Sequence, residues 1–514
     1  MKQIRNLLSF VMLALLAVSC VKDDTSLGDG AISVMEIDST SIQTEYNIKK
    51  NDVLVIEPKI VVNREHLSSK ETRSTAPYEL TWEVELKTVA TGPQFRYEAT
   101  QLGTYRCRLI AENADGKTFF NFTINVNTPY EEGLTLLSKD KEGKGKLSFL
   151  LFSPDGTPAE QFTEDDCFAQ NNPDEVFVSN PVDIVHSGEN LIMACQGDEA
   201  QGAAIYYLNE KTLVVENKIT APEFPDFKPT RMAIPSEGAV GVAYPILCEN
   251  GNVYEFSTSE GALVKPKKLP YTYSQSFVTY DEGNAGIYYL LFWDKEANAL
   301  CQVYRGYGPY FCSREYLLER DKFLEESKND PNVNYFNGKK FARMDLIRMT
   351  PQQLAKNGSE TLVMTSGGIC QKVRLLTTFW TYNAEEASNV LVDNGGFSPL
   401  GFGALPVDEH TPAIANYTYK SYLYAQGNKV HRWNYTSTQL LKDAEVLLEV
   451  GSPTAVITNF EMSADHKITY VAFYEPTMEG NNGSVWAFDT DKGTVLHQYN
   501  QICYQPTKLI YKKK

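Results

Sequence analysis

A strand-turn-strand pattern that recurs along the chain constrains the fold more than any other feature of the sequence. Its clearest copy begins with Val485-Trp486-Ala487-Phe488-Asp489 and continues through a polar turn into a second strand. The copy has a β-branched residue, a large ring, a variable position, a large apolar residue and a small polar residue that favours a turn. The same order occurs at Ile205-Tyr206-Tyr207-Leu208-Asn209, Val253-Tyr254-Glu255-Phe256-Ser257 and Val430-His431-Arg432-Trp433-Asn434. Neighbouring copies start 48 residues apart (205 and 253) and 55 apart (430 and 485), and short strands recurring near this period predict propeller blades.

Length and charge narrow the class of protein. The chain has 514 residues, which is enough for several ordinary domains, although one propeller can absorb most of them. An apolar content of 42% with 22% charged residues indicates a globular protein that buries a core. The net charge of −17 argues against a nucleic-acid partner, because binding phosphates requires a surplus of Lys and Arg.

The N-terminus has the composition of a signal peptide, which we assign to residues 1–19. Lys2 and Arg5 precede an apolar stretch, Leu7 to Val18, that is short for a transmembrane span. Ala17-Val18-Ser19-Cys20 resembles the lipobox of bacterial lipoproteins, although Ala17 stands where Leu is usual. The resemblance implies that Cys20 carries a lipid and is the only membrane anchor. The alternative is ordinary secretory cleavage beside a coincidental cysteine.

The residues after Cys20 bear on the location of the protein. Lys22, Asp23 and Asp24 resemble the short acidic signal that exports lipoproteins of Bacteroidota to the cell surface. We therefore predict an outer-membrane, surface-facing protein in which residues 20–30 form a lipidated, flexible tether. A plain solvated linker is the alternative interpretation of this stretch.

Residues 31–128 have the pattern of a separate all-β module. Apolar residues alternate with polar ones from Tyr105 to Leu109 and again from Phe120 to Val126, which predicts strands with one buried face. Asn113-Ala114-Asp115-Gly116 between them predicts a hairpin turn. We therefore expect an Ig-like sandwich. The hairpin, with Trp82 on an earlier strand, resembles PKD domains, although the Gly-Asp-Gly turn of that family is missing.

Residues 130–514 are assigned to a β-propeller of about seven blades, with six or eight left open. A helical insertion is predicted near residues 313–356, from the charged stretch Ser313 to Lys328 and from Thr350-Pro351, where Thr would cap a helix and Pro would occupy its first position. The tail from Cys503 to Tyr511 is predicted to be a strand that pairs into the first blade.

Motifs that carry chemistry are missing from the sequence. The six histidines form no His-Glu-x-x-His pair, and no Gly-x-Ser-x-Gly elbow or Walker loop is present. Asp489-Thr490-Asp491-Lys492-Gly493 is interpreted as a blade turn rather than a calcium loop. We therefore predict no catalytic residues, no metal and no cofactor. Paired carboxylates of a glycosidase stay open, because a propeller can bring them together from distant blades.

Two tryptophans and two cysteines are candidate site residues. Trp293 and Trp380 are candidates for stacking on a ligand, whereas Trp433 and Trp486 occupy repeat positions that are usually core. Cys301 and Cys312 flank a Gly-Tyr-Gly-Pro turn and form a candidate disulfide, which an exported protein permits. Three further cysteines lie in apolar strands and are expected to be buried thiols: Cys107, Cys195 and Cys248.

The order of lipoprotein signal, acidic export segment, PKD-like module and long β-rich remainder resembles the PKD-like family of Bacteroidota surface lipoproteins. That resemblance implies a non-catalytic accessory component of a SusC/SusD-type uptake system for glycans or peptides. Its partners would be the outer membrane, a TonB-dependent transporter and a SusD-like lipoprotein. Two alternatives stay open: a surface hydrolase acting on glycan or peptide, and an adhesion or scaffold protein.

Overall fold

The structure is a computed structural model. It describes residues 32–65, 72–73, 77–130, 132–152, 166–187, 189–222, 224–232, 243–250, 252–257, 261–264, 273–281, 288–294, 299–305, 314–317, 345–353, 360–366, 368–377, 389–401 and 404–512. The chain forms two compact units, with the boundary between Thr128 and Pro129. They are called the first and the second unit below.

The described part of the first unit contains ten strands. They are β1 (Ile32–Ile37), β2 (Glu45–Lys49), β3 (Val53–Ile56), β4 (Ile60–Glu65), β5 (Thr72–Arg73), β6 (Glu79–Val84), β7 (Lys87–Thr91), β8 (Phe95–Glu98), β9 (Gly103–Asn113) and β10 (Gly116–Asn127). The largest sheet has the order β2-β10-β9-β6-β7, with β2 parallel to β10 and the other pairs antiparallel. Strands β1, β4 and β5 form a second sheet, and β3 pairs with β8.

One apolar core joins the described strands of the first unit. Trp82 on β6 is fully buried and stacks on Phe95 with ring centroids 4.8 Å apart. Its indole Nε1 donates to the Gly92 carbonyl at 3.0 Å, so the polar atom of the ring is satisfied. Cys107 and Leu109 of β9 and Phe122 of β10 face the same core, which confirms the alternation predicted from the sequence.

The hairpin between β9 and β10 is the one predicted at residues 113–116. The side-chain oxygen of Asn113 accepts from the backbone N–H groups of Asp115 and Gly116 at 2.9 and 3.0 Å, respectively. A short polar side chain is therefore what fixes this turn. The Asp115 carboxylate also accepts from the Ser33 N–H at 2.9 Å, which ties the turn to β1.

The described part of the second unit is also nearly all strand. Its strands are β11 (Gly133–Lys139), β12 (Gly145–Leu151), β13 (Pro181–Ser187), β14 (Asn190–Cys195), β15 (Ala204–Asn209), β16 (Val215–Thr220), β17 (Pro229–Met232), β18 (Ala243–Cys248), β19 (Val253–Ser257), β20 (Ala262–Val264), β21 (Tyr273–Asp281), β22 (Tyr288–Asp294), β23 (Ala299–Arg305), β24 (Arg314–Leu317), β25 (Leu346–Gln353), β26 (Glu360–Thr365), β27 (Ile369–Thr377), β28 (Asn389–Pro399), β29 (Ala413–Asn416), β30 (Ser421–Gln426), β31 (Lys429–Asn434), β32 (Glu445–Glu449), β33 (Val456–Met462), β34 (Ile468–Tyr474), β35 (Gly483–Asp489), β36 (Val495–Cys503) and β37 (Gln505–Lys512). A short helix, α1 (Cys167–Asn171), and a 3-10 turn (Leu441–Asp443) complete it.

These strands fall into seven antiparallel sets. Set 1 is β37-β11-β12, and sets 2, 3 and 4 are the consecutive strands β13 to β16, β17 to β20 and β21 to β24. Sets 5 (β25 to β28) and 6 (β29 to β32) share one sheet, because β25 pairs in parallel with β29 over two residues. Set 7 is β33 to β36.

One strand of each set contacts its neighbour sets, and we call these the leading strands: β37, β13, β17, β21, β25, β29 and β33. Leading strands of neighbouring sets contact each other in the pairs β33 with β37, β37 with β13, β13 with β17, β21 with β25, β25 with β29, and β29 with β33.

The repeated sequence pattern has one structural meaning. Its four copies lie on β15, β19, β31 and β35, each the third strand of its set. The fourth position of the pattern is buried in every copy: Leu208, Phe256, Trp433 and Phe488. The polar fifth position fixes the following turn, as where Asp489 Oδ1 accepts from the N–H groups of Asp491 and Lys492. The interpretation of residues 489–493 as a turn between strands is thereby confirmed.

Apolar clusters fill the spaces between neighbouring sets. Tyr206 of set 2 packs in one cluster with Phe149 of set 1, and Tyr254 of set 3 packs with Ile192 of set 2. Tyr470 of set 7 likewise packs with Leu134 of set 1. Hydrophobic burial thus lies between adjacent sheets, which stabilises the sheets as a series rather than around one centre.

The predicted helical insertion near residues 313–356 is wrong where the structure describes it. Arg314–Leu317 is strand β24, paired with β23, and Leu346–Gln353 is strand β25, with Pro351 opposite Thr361. The local helix signal at Thr350-Pro351 is outweighed because β25 has a pairing partner on each side, β26 and β29. Residues 318–344 lie outside the described residues.

The prediction that the tail is a strand pairing into the first set is confirmed. β37 runs antiparallel to β11, with Leu509 opposite Leu136. Lys512 is buried near its end, and its ammonium donates to the Glu210 carbonyl at 2.7 Å and to the Tyr130 carbonyl. The C-terminal strand is therefore fixed both to the start of the second unit and to set 2.

Candidate functional site

Six leading strands contribute side chains to one cavity of about 630 Å³ in the second unit. The strands are β13, β17, β25, β29, β33 and β37, and the segment 409–412 closes part of the wall. This volume is typical of sites for small ligands. Because these residues come from points far apart in the sequence, only the arrangement of the sets brings them together.

A β-bulge recurs at this cavity on five of the strands. On each of these strands one residue has no paired residue on the neighbouring strand of its set, and the residue after it lines the cavity. Bulges re-aim side chains and are common beside functional sites. The residues that follow the skipped positions are named the bulge cluster: Asp183, Arg231, Arg348, Asn459 and Lys508.

Three of the skipped residues are threonines that make equivalent bonds. The hydroxyls of Thr230 and Thr507 donate to partner-strand carbonyls at 3.0 and 3.1 Å, and that of Thr458 does so at 3.4 Å. Each hydroxyl replaces a ladder bond that the bulge disrupts. The recurrence on three strands shows that the bulges are a regular part of the architecture.

Asp183 is held tightly in place. One carboxylate oxygen accepts from the Met232 N–H at 2.7 Å, and the other accepts from the Ile184 N–H at 3.0 Å. Lys508 Nζ lies 3.6 Å from the latter oxygen, and the Asp183 side chain is only 4% exposed. Asp183 therefore joins β13, β17 and β37 and compensates part of the positive charge beside it.

Arg348 is oriented by uncharged groups. Its Nε donates to the Thr350 hydroxyl at 3.3 Å, and Nη1 donates to the Glu409 and Asp408 carbonyls at 3.1 and 3.4 Å. Thr350 in turn lies 3.3 Å from the buried Tyr422 hydroxyl. These bonds fix the guanidinium while its described hydrogen-bond partners leave its charge uncompensated.

Arg231 and Arg348 act on each other electrostatically. Burial lowers the pKa of Arg231, Asp183 opposes that lowering, and Arg348 adds to it. Two guanidinium groups thus share one partly enclosed space, where like charges repel more strongly than in water.

Glu461, two residues beyond Asn459 on β33, has a strongly shifted acidity. Burial raises its pKa to about 7, against hydrogen bonding from the Met462 N–H and the attraction of Lys508. Its charge therefore changes near neutral pH, close to Lys508.

Trp293, a predicted stacking residue, lies at a second cavity. This cavity has a volume of about 530 Å³. Trp293 of β22 lines it together with Leu405, Val407 and Glu409. The indole is only 1% exposed. Glu409 lines both cavities, which are therefore neighbours.

The remaining predicted site residues are not brought to these cavities by any described contact. Cys20, Lys22, Asp23, Asp24, Trp380 and Cys312 lie outside the described residues. Cys301 is on β23, so its pairing with Cys312 stays a prediction. Trp433 is fully buried, with its Nε1 donating to the Gln439 carbonyl at 2.8 Å, which confirms a core role.

The predicted buried thiols are confirmed. Cys107, Cys195 and Cys248 are buried free cysteines. Burial raises the pKa of Cys107 and of Cys248 to about 12, so neither is a thiolate at neutral pH.

The described residues hold no group of three or more His, Cys, Asp or Glu arranged to bind a metal ion. Within the same part of the chain, no helix is long and apolar enough to cross a membrane.

Sequence reasoning missed the bulge cluster, although a signal was present. Pro-Val-Asp at 181–183, Pro-Thr-Arg at 229–231 and Pro-Thr-Lys at 506–508 share a proline, a β-branched residue and a charge. The step from 181 to 229 is 48, the same as between the third-strand copies at 205 and 253. A charge repeated at one position of a strand repeat was therefore readable in advance.

Comparison with known proteins gives little guidance. No protein-family model and no curated protein matches the chain. A quinoprotein alcohol dehydrogenase-like protein from Bacteroides thetaiotaomicron is 14% identical, with a TM-score of 0.45 over 93% of this chain and 99% of its own. A DUF4784 family protein from Bacteroides caccae is 9% identical, with a TM-score of 0.27 over 94% and 99%. Both scores are below 0.5, so neither similarity supports a conclusion about activity.

Proposed function

We propose that this protein is a surface-exposed, lipid-anchored binding component of a SusC/SusD-type nutrient uptake system, and that it binds its ligand at the bulge cluster. The observation that carries the proposal is the recurrence of bulges on five leading strands, all directing a side chain into one cavity. Five aligned irregularities with polar side chains are expected of a built binding site.

A closed, seven-bladed propeller is the architecture that we propose for the second unit. Three features support it: seven antiparallel sets in the described residues, the contacts between successive leading strands, and a C-terminal strand that completes set 1. The pairing of β37 with β11 joins the last described strand of the second unit to its first set, as ring closure of a propeller requires.

For the first unit we propose a PKD-like sandwich that spaces or presents the second. Its support is the buried Trp82 on β6, the β9–β10 hairpin and the parallel pairing of β2 with β10. A transporter and a SusD-like lipoprotein would then be the membrane partners, and glycan or peptide the cargo.

The contacts of Asp183, the carboxylate of the bulge cluster, favour a binding role over hydrolysis. Glycoside hydrolysis uses two carboxyl groups, one acid and one base or nucleophile. Asp183 already accepts from two backbone N–H groups and lies beside Lys508, so it is committed to holding three strands together.

Recovery of the lipidated protein from its native outer membrane tests the uptake role. We expect a TonB-dependent transporter to co-purify, with no turnover of co-purifying glycan or peptide. The Cys20→Ser variant, which cannot be lipidated, is expected to lose the transporter. Recovery of the protein alone, together with hydrolysis of a glycan or peptide, would establish the hydrolase instead.

Surface exposure is tested separately. Replacing Lys22, Asp23 and Asp24 by alanine is expected to leave lipidation intact but to protect the protein from protease added to whole cells. Thr25→Ala with Ser26→Ala is the matched control and is expected to stay accessible. Equal accessibility of both variants would overturn the assignment of the export signal.

A further inference from the structure

We propose that the bulge cluster binds an uncharged sugar, through hydrogen bonds to neighbouring hydroxyl groups of one sugar unit in a glycan. This inference rests on the binding function proposed above and names the class of ligand. It is carried by the hydrogen-bonding groups of Arg348, Asn459 and Lys508, three side chains that line the same cavity.

The charged side chains that line the cavity match in number. Among the described residues the lining holds three carboxylates and three cations: Asp183, Glu249, Glu409, Arg231, Arg348 and Lys508. Lys508 Nζ lies 3.6 Å from Asp183, so part of this matching is direct contact. His410, the other titratable residue of the described lining, is exposed. A ligand with a net charge would add a charge without a counter-charge to a partly enclosed space, which costs free energy. The balance of charges therefore favours a neutral ligand.

Arg348 keeps hydrogen-bonding capacity for such a ligand. Its Nε and Nη1 donate to the Thr350 hydroxyl and to the Asp408 and Glu409 carbonyls. No described residue accepts a hydrogen bond from Nη2, which carries two N–H groups. The existing bonds hold the guanidinium in one orientation, so its remaining nitrogen can donate to a ligand oxygen with little further loss of side-chain entropy.

Asn459 and Lys508 add groups from two leading strands in contact, β33 and β37. Within the described part of the chain, the Asn459 side-chain amide makes no hydrogen bond, and the Lys508 ammonium makes only its ion pair with Asp183. The amide can donate and accept, whereas the ammonium can only donate. Both side chains are partly buried. A ligand that satisfies such partly enclosed polar groups gains binding free energy.

A sugar unit fits this mixture of donors and acceptors. One hydroxyl can accept from Arg348 or Lys508 and at the same time donate to the side-chain oxygen of Asn459. Hydrogen bonds from charged donors are stronger than those between neutral groups, and they do not require a charge on the ligand. Neighbouring hydroxyls of one ring hold several such oxygens in a fixed geometry, so the ligand loses little freedom on binding.

The rest of the lining argues against an apolar or charged peptide. Four of the sixteen described lining residues are apolar: Val182, Pro412, Ala413 and Phe460. The Phe460 ring is only 7% exposed, so it offers a ligand little apolar surface. Apolar peptide side chains need a larger apolar lining, and charged ones would disturb the matched charges. An uncharged sugar has neither requirement.

Calorimetric titration of the purified full-length mature protein tests the proposal. The probes are neutral oligomers of glucose, galactose and mannose, the uronate oligomer that corresponds to each, and a capped, uncharged Gly-Ala peptide. We expect at least one neutral oligomer to bind, and to bind at least about tenfold more tightly than its uronate counterpart and the peptide. Raising the salt concentration should change this affinity by less than about twofold, because salt screens interactions between charges.

Two variants separate hydrogen bonding from charge. Asn459→Ala removes the amide at constant charge and should weaken binding of the neutral oligomer about tenfold. Arg348→Lys keeps the positive charge but removes Nη2, and it should have a similar effect. Asn121→Ala, at an exposed asparagine of the first unit, is the matched control and should leave the affinity unchanged. Because Arg348 also holds the segment 409–412, circular dichroism and the Asn459 variant separate lost ligand contacts from lost folding.

Each outcome decides. Binding of none of the three neutral oligomers overturns the sugar assignment, and so does equal or tighter binding of the uronate counterpart or of the peptide. Binding of a neutral oligomer that survives both Asn459→Ala and Arg348→Lys overturns the site. Failure to recover a transporter from the membrane overturns the uptake role but leaves a sugar titration standing, so the two proposals fail independently.

Discussion

The two units distribute polar and apolar side chains in opposite ways. The first unit buries one continuous apolar core around Trp82 and Phe95, whereas the second buries apolar clusters between neighbouring sets and places charged residues where its leading strands meet. A core filled with rings leaves no room for a ligand, but a polar centre does. The comparison teaches that the second unit keeps its apolar clusters apart from the cavity that we propose as the ligand site, whereas the apolar centre of the first unit stabilises that unit.

The largest expected effect comes from the core of the first unit. Trp82→Ala removes the stack on Phe95 and leaves a cavity, so we expect a loss of about 3–5 kcal/mol in the free energy of unfolding of that unit. Hydrogen exchange of β6 and β9 in the full chain measures it. Leu86→Ala, at a side chain 82% exposed, is the control and should cost under about 0.5 kcal/mol. A loss below about 1 kcal/mol for Trp82→Ala would contradict a single apolar core.

The polar centre of the second unit predicts a pH dependence of stability. Glu461 has a pKa raised to about 7 by burial, so the folded state holds its proton more tightly than the unfolded state does. Its contribution is fully present below the unfolded pKa near 4.5 and is lost as pH rises to about 7, by at most about 3 kcal/mol.

Glu461→Gln removes this titration. In the wild-type protein the free energy of unfolding of the second unit should decrease between pH 4.5 and 7, and in the variant this decrease should disappear. The same dependence of the unfolding free energy on pH in both proteins would show that Glu461 is solvated. Denaturant unfolding at a series of pH values measures the difference.

A smaller effect is expected where neighbouring sets touch away from the centre. Gly493 has φ +68°, and a Cβ there would lie 2.7 Å from the Leu447 carbonyl oxygen of set 6. Gly427 has φ +59° with open space around its Cβ position. Gly427→Ala should therefore cost about 1 kcal/mol through backbone strain alone, and Gly493→Ala about 1 kcal/mol more through the clash. Equal thermal destabilisation of the two variants would contradict close packing of sets 6 and 7 at this turn.

Much of the fold could be predicted from the sequence because its strands are locally encoded. Period-two alternation predicted β9 and β10, and the ring-containing pattern predicted the strands β15, β19, β31 and β35, since each side chain's burial follows from its own strand. The helix predicted at Thr350-Pro351 failed because strand pairing on both sides of β25 outweighed a local capping signal.

The candidate site was not predicted, for a different reason. Asp183, Arg231, Arg348 and Lys508 are far apart in the chain, and their convergence depends on how the sets are arranged. Their inward direction depends on bulges, which periodicity rules assume to be absent. Trp293, predicted to stack on a ligand, lies at the second cavity, which shares Glu409 with the first, and its stacking role stays a prediction.

The most direct test of a ligand site at the bulge cluster is hydrogen-deuterium exchange of the full-length mature protein with and without the glycan or peptide that co-purifies with it. We predict slower exchange in β17, β25, β37 and the segment 409–412 when this ligand is present, with no change in β1 to β10. Slower exchange confined to the first unit, or no change at the leading strands under conditions where the ligand is bound, would contradict the assignment of the site to the bulge cluster.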